Sequence, residues 1–346
     1  MQLSETQTSL PEEAISTATN HVKDILAQTV MHSPAHAALI IFDTECPLAM
    51  ALTQAYRRAL PEATFIDFVK VTPEEIFAAF ATLKPSDLVV LIQSTSFRLK
   101  DFRIRIELYE QSLKVIEHPH LSRMNCIEQF YYIESLAYDS DYYRGVGQAL
   151  KKLIDSANSA VVESDGERLV FGALEPAKLN IGDYTGMKNI GGQFPIGEVF
   201  TEAQVLESVN GRVRIFAFAD SNFKVIKPEK PILLIITEGR VTDVMDSSPE
   251  FDQVLAKIRA DEQEVWLREL GFGMNRAFTK ERTVGDIGTY ERMCGIHLSL
   301  GSKHGVYKKI NFKTRNTWYH VDVFAVTQFV YLNDLIVYQD GAWCVE

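Results

Sequence analysis

Ala160-Val161-Val162-Glu163-Ser164-Asp165-Gly166-Glu167-Arg168-Leu169-Val170-Phe171 is where this chain changes character. Two short runs with apolar alternation flank Asp-Gly, a dipeptide that accepts the positive φ angles of a tight hairpin turn, so the stretch predicts two antiparallel strands. Strand-like segments continue beyond it at Gly211 to Ala219, Pro231 to Glu238, Gly239 to Met245, His320 to Ala325 and Leu335 to Tyr338. Helical periodicity is confined to Glu250 to Asp261 and a second candidate, Gln263 to Leu270. The C-terminal half therefore reads as α+β with a mainly antiparallel sheet.

Upstream the pattern differs. Ala37 to Phe42, Thr64 to Phe68 and Asp87 to Ile92 are short apolar runs suited to buried strands. Between and after them lie helical stretches: Pro47 to Leu60 with proline in its first turn, Thr72 to about Leu83 with Thr72 as N-cap, and Lys100 to Glu110. Strands alternating with helices predict a small parallel sheet with helices on both faces. The boundary is expected after the helix that follows Asp141, dividing the chain into residues 1–158 and 159–346. Residues 1–19 are expected to be partly disordered or a loosely attached first helix.

Composition excludes several classes of function. The chain has 346 residues, 46% of them apolar, enough for two cored domains. No apolar run reaches the length that spans a bilayer, and the polar, acidic start lacks the features of a signal peptide, so a cytoplasmic protein with no membrane role is expected. Net charge is −11, from 46 acidic against 35 basic residues, which opposes binding to a phosphate backbone; no nucleic-acid partner is expected. The four cysteines, Cys46, Cys126, Cys294 and Cys344, form no CxxC pair and read as scattered thiols. No GxGxxG or P-loop follows any strand of the first half, so a nucleotide site has no support there.

Four segments of the second half concentrate metal-ligand residue types among glycines. They are Gly191-Gly192-Gln193-Phe194-Pro195-Ile196-Gly197-Glu198, Arg268-Glu269-Leu270-Gly271-Phe272-Gly273-Met274-Asn275, Cys294-Gly295-Ile296-His297-Leu298-Ser299-Leu300-Gly301, and Trp318-Tyr319-His320-Val321-Asp322. Each alone has an ordinary structural explanation. Glu198 can simply terminate a Gly-Pro loop, Glu269 can be a solvated glutamate at the end of a helix or strand, and a lone His297 in an apolar stretch is more often a satisfied core residue. His320 and Asp322, at i and i+2 on a strand, project from one face about 6–7 Å apart and can bond to each other or share a partner. Together they supply three carboxylates and two imidazoles, an oxygen/nitrogen donor set for Zn, Mn, Co or Fe(II). The excess of carboxylates suits a dinuclear hydrolase more than a structural zinc site.

At Ile196-Gly197-Glu198-Val199-Phe200-Thr201, Glu269-Leu270-Gly271-Phe272-Gly273-Met274-Asn275, Ile296-His297-Leu298-Ser299-Leu300-Gly301 and His320-Val321-Asp322 the chain resembles the thermophilic metallo-aminopeptidases, the aminopeptidase T and S family. The resemblance covers residues 160–340; the N-terminal half matches only in its α/β character. It implies two divalent cations per chain (Zn, Co or Mn) held by Glu198, Glu269, His297, His320 and Asp322. It also implies a small peptide or other small-molecule substrate, and a homodimer whose N-terminal domains help enclose the sites. Glu269 is a candidate for general base as well as for ligand of the second cation. Seven residues after the motif histidine the family has a catalytic tyrosine; here His304 stands there, with Tyr307 three residues on, and either is a candidate to steady an oxyanion. The chain also looks shorter than these peptidases ahead of the metal motifs. The fold implied resembles that of the 2,5-dihydroxypyridine dioxygenases too, which share the closing HxD pair, use one Fe(II) and carry histidine where this chain has Glu269. A metal-dependent aminopeptidase, a mononuclear Fe(II) ring-cleaving dioxygenase and a non-catalytic relative are thus the three expectations.

Overall fold

The computed structural model describes residues 9–99, 102–301, 307 and 319–345. The chain forms two compact units, each discontinuous in sequence. The first is built from Met1–Ser140 and Gly182–Ile196, the second from Asp141–Ile181 and Gly197–Glu346.

The first unit holds a five-stranded, all-parallel sheet in the order Ile190–Gln193, Lys114–His118, Leu88–Ile92, Ala38–Phe42, Thr64–Asp67. Its central strands read as unbroken apolar runs because both faces are buried. Leu39, Ile41, Val89, Leu91 and Val115 pack with Ile76 and Phe80 of helix Pro73–Phe80 and with Ile104 and Leu108 of helix Ile104–Glu110. Ile40, Val90 and Ile116 alternate with them and are fully buried. Helix Pro47–Ala59 starts with proline, whose missing N–H would be unpaired there in any case. Helix Pro73–Phe80 starts with a full capping box, Thr72 accepting from the Glu75 N–H and Glu75 from the Thr72 N–H.

Two expectations for this unit need correction. Helix Glu12–Gln28 is not loose: Ala14, Ile15, Ala18, Val22, Ile25 and Leu26 form a buried stripe, and it packs on helix Pro47–Ala59. The helix expected from Lys100 begins at Ile104, because Phe102–Arg103 pairs with Arg98–Leu99 as a short strand. One buried imidazole is fully accounted for. His118 lies between the Tyr56 and Tyr132 hydroxyls, 2.8 Å from each, and burial pushes its pKa down to about 3, so it is neutral.

The second unit is one large, mainly antiparallel sheet. Its path runs from Ala342–Trp343 through Leu335–Gln339, Phe329–Leu332, Ala160–Ser164, Glu167–Phe171, Asn210–Ala219, His320–Ala325, Gly295–Gly301, Leu267–Gly273 and Glu198–Thr201 to Lys178–Asn180. The Ala160–Phe171 hairpin forms as expected, with Asp165 and Gly166 both at positive φ. Helix Pro249–Glu262 matches its expectation and starts at the Ser248 cap.

The helix expected over Gln263 to Leu270 is instead the strand Leu267–Gly273, paired on both edges. Gln263 adopts φ 70°, which ends the preceding helix, and Gly271 and Gly273 favour no helix. Glu269 therefore sits inside a strand rather than at the end of an element.

The division also differs from a single cut between 158 and 159. Helix Ser140–Ser156 belongs with the second unit: Gly147 lets Ile181 approach, Lys151 donates to the Ala177 carbonyl at 2.8 Å, and Asp155 accepts from the Ala177 N–H at 2.7 Å. Residues 182–196 return to the first unit, because Ile190–Gln193 adds to its sheet beside Lys114–His118. Gly191 is required at that edge, since a Cβ there would meet the Val115 carbonyl oxygen at 1.9 Å.

Candidate metal centre

The register of four neighbouring strands in the second unit determines what shares a face. Glu198 lies opposite Gly273, Gly271 opposite His297, Glu269 opposite Ser299, Ser299 opposite Asp322, and Gly301 opposite His320. Directly opposed residues point the same way and side chains alternate along each strand. Glu198, Glu269, His297, Ser299, Asp322 and His320 therefore share one face. Glu269 pairs with Ser299 in the same register as Gly271 with His297, and the register shifts only beyond it, between Leu267 and Glu269.

Glycine makes this convergence possible. A Cβ on Gly271 would lie 2.0 Å from His297 Cε1 and 2.1 Å from Nε2, so the imidazole occupies the space a side chain would take. Gly273 has a parallel role, since its Cβ would meet the Met293 carbonyl oxygen at 1.9 Å and the Arg292 carbonyl carbon at 2.9 Å. The bare backbone there admits the turn that carries Arg292. Gly197, at φ +116°, leads into Glu198 and packs against the Tyr143 ring.

The donor atoms are close and mostly buried. His297 is fully buried, and its Nε2 stands 3.2 Å from Glu198 Oε1 and 3.3 Å from Glu269 Oε1. Ligand atoms of Glu198, Glu269 and His297 all lie within 4.8 Å of one another. Asp322 is buried, with Oδ1 3.1 Å from Nε2 of His320; about a third of the His320 side chain is exposed. That contact has ion-pair distance without hydrogen-bond geometry, so Asp322 Oδ1 stays unsatisfied. Glu269 Oε2, His297 Nδ1 and Ser299 Oγ are likewise buried without a hydrogen-bond partner among the described residues.

Four such atoms on one sheet face call for a partner, ordered water or a bound ion. The spacing fits a cation as well, since donors at about 2.0–2.2 Å from a tetrahedral ion stand about 3.3–3.6 Å apart. The residues present thus suit a divalent metal ion with oxygen and nitrogen ligands.

Electrostatics of the metal-free face follow from the same packing. Burial opposes charge on His297, but hydrogen bonding and attraction from Glu198 and Glu269 outweigh it and raise its pKa well above the usual 6.5. Burial likewise opposes charge on Glu198, and the Arg292 guanidinium, with His297, holds its pKa below the ordinary carboxylate value. Asp322 is lowered against its burial by His320. Glu291 goes the other way: burial, with Glu198 and Asp322 nearby, pushes its pKa up to about 8 despite Arg292.

Three residues here were not among the expected site residues. Arg292 is buried and its Nη1 lies 2.7 Å from Glu198 Oε2 and 2.9 Å from Glu291 Oε1. Ser299 sits two residues after His297, a spacing that alone would have placed it on the same strand face. Nothing in the local pattern marks Glu291 and Arg292, which come from the turn after the short helix Ile287–Tyr290. Of the candidate oxyanion residues, His304 lies outside the described residues. Tyr307 is buried, and its hydroxyl is 3.1 Å and 3.2 Å from the carbonyls of Pro176 and Phe200, so its proton is engaged by backbone. The four cysteines are free thiols. No helix among the described residues is long and apolar enough to cross a membrane.

No known family profile matches the chain, and no curated protein matches it in sequence. Solved structures do share its fold. The 2,5-dihydroxypyridine dioxygenase from Pseudomonas putida KT2440 superposes with a TM-score of 0.63 at 15% identity, covering 95% of this chain and 97% of that one. Wild-type AmpT from Thermus thermophilus superposes with a TM-score of 0.58 at 13% identity, covering 95% and 99%. These neighbours represent the two groups that the sequence motifs resemble.

Proposed function

We propose that this chain is a metal-dependent hydrolase of peptide or amide bonds, acting most simply as an aminopeptidase on small peptides. The observation that carries the reading is the convergence of Glu198, Glu269, His297, His320 and Asp322 on one sheet face, with buried donor atoms left unsatisfied. Glu198, Glu269 and His297 would hold one cation, and Asp322 with His320 would contribute to a second beside it. Bound divalent ions supply Lewis acidity, lowering the pKa of water and polarising a carbonyl. Glu269 can present Oε2 to a proton while Oε1 faces His297, the geometry a general base needs.

Metal content of protein purified without chelator, read by elemental analysis, tests the reading together with a panel of aminoacyl-p-nitroanilides under added Zn, Co or Mn. We expect close to two ions per chain and cation-dependent release that Glu198→Gln abolishes. A silent panel with metal demonstrably bound counts against an aminopeptidase.

One observation favours a second reading, a mononuclear Fe(II) dioxygenase acting on a hydroxylated aromatic ring. Glu198 Oε2 is already engaged by Arg292, and Glu198, Glu269 and His297 form the one tight three-donor group among the described residues. One ion per chain, with oxygen uptake on hydroxylated pyridines after anaerobic iron loading, would support it over the hydrolase.

A further inference from the structure

We infer that Arg292 is a positioning residue for the metal centre, clamping Glu198 so that one carboxylate oxygen is presented to the cation and the other is withheld. The inference rests on the cation reading above and concerns a residue that reading does not use.

The clamp is built from local geometry. Asp286 caps the helix Ile287–Tyr290, accepting from the Thr289 N–H at 3.0 Å, and that helix ends at Glu291. The turn that follows lies against Gly273, whose missing side chain leaves room for the Arg292–Met293 backbone. Asn275 N–H donates to the Arg292 carbonyl at 2.8 Å, tying this turn to the end of the Leu267–Gly273 strand. Arg292 is thereby delivered with its guanidinium between Glu198 and Glu291, and only 6% of the residue is exposed. Glu198 then has two distinct oxygens: Oε2 on Arg292 at 2.7 Å, and Oε1 beside His297 Nε2 at 3.2 Å.

A fixed positive charge this close to a cation site works against cation binding by simple repulsion. Two opposite effects therefore meet at one residue, and the sign of a measurement separates them. If Arg292 matters through its charge alone, removing it tightens metal binding. If it matters by orienting Glu198, removing it lets the carboxylate turn, and binding weakens. Partners that orient metal ligands typically contribute about 10- to 100-fold in affinity. Both carboxylates are met by one nitrogen, Nη1, held at a fixed reach and direction by the planar guanidinium; the shorter, flexible stem of lysine does not hold its ammonium in that way.

The experiment is competition of Zn(II) against a chelator of known affinity, using metal-depleted full-length chain and its Arg292→Lys and Arg292→Met variants. We expect the order unaltered chain, then Arg292→Lys, then Arg292→Met, with Arg292→Met weaker by about 10- to 100-fold. In a Glu198→Gln background, Arg292→Met should add little further loss, since it acts through Glu198. Binding by Arg292→Met as tight as, or tighter than, that of the unaltered chain overturns the inference. Should Arg292→Met fail to fold, an unchanged affinity in Arg292→Lys overturns it equally. Absence of Zn(II) uptake by the unaltered chain would instead remove the cation reading, and this inference with it.

Discussion

At the scale of single residues the proposed metal site sets a proton and a cation in competition for His297. Without metal, Nε2 faces two carboxylates and holds a proton well above its usual pKa. A group whose folded pKa is raised contributes stability that is complete below its unfolded value, near 6.5, and lost as pH rises through the folded value. Glu291, half-buried, acts in the same direction: its neutral form persists to about pH 8, whereas the unfolded carboxyl ionises near its ordinary value, so stability declines between the two. Metal binding runs oppositely, because the imidazole must be deprotonated to ligate. Melting temperatures taken from about pH 6 upward should therefore fall for chelator-treated protein, while the gap to the Zn(II)-loaded protein widens. A gap that stays constant with pH would contradict a metal bound at His297. Arg292 shows how little of this is visible from residue type. An arginine beside a glutamate reads as surface charge, yet both are drawn to the site by a turn whose entry depends on a glycine much earlier in the sequence, Gly273.

Strands set the register that makes the residues meet. His320 and Asp322 were legible as one strand face from i, i+2 spacing, and their strand, His320–Ala325, lies where alternation placed it. Glu269 was not legible in this way: its segment matched a helix in periodicity, and only pairing on both edges makes it a strand. Gly271 is the element's critical position, lying directly beneath the His297 ring. Gly271→Ala should displace the imidazole, reduce retained metal in elemental analysis and destabilise the metal-free protein by about 1–3 kcal/mol in chemical denaturation. Unchanged metal content and unchanged midpoint would show that the ring and glycine are not coupled as described.

Over the whole molecule, two units interleave along the chain, and this matters for any truncation. A fragment of residues 1–158 would keep helix Ser140–Ser156 but lose Ile181, and would leave the Tyr143, Val146, Leu150 and Ile154 face uncovered. It would also lack Ile190–Gln193, exposing the edge of Lys114–His118. Bare edges and apolar faces promote association, so this fragment should elute as aggregate or heterogeneous oligomer in size-exclusion chromatography. A monodisperse, cooperatively melting fragment would show that the returning segment is dispensable.

Sequence by itself determined the two kinds of sheet. Continuous apolar runs alternating with helices favour a parallel layer buried on both faces, and short apolar segments around Asp165-Gly166 favour a hairpin. It also determined which residue types could serve as ligands, and their glycine framing. Tertiary structure alone decided the rest: that residues 182–196 complete the parallel sheet, that Leu267–Gly273 is a strand, and that Arg292 stands among the expected ligands. Each of these rests on pairing or close approach between segments far apart in the chain, which local propensity and periodicity do not encode.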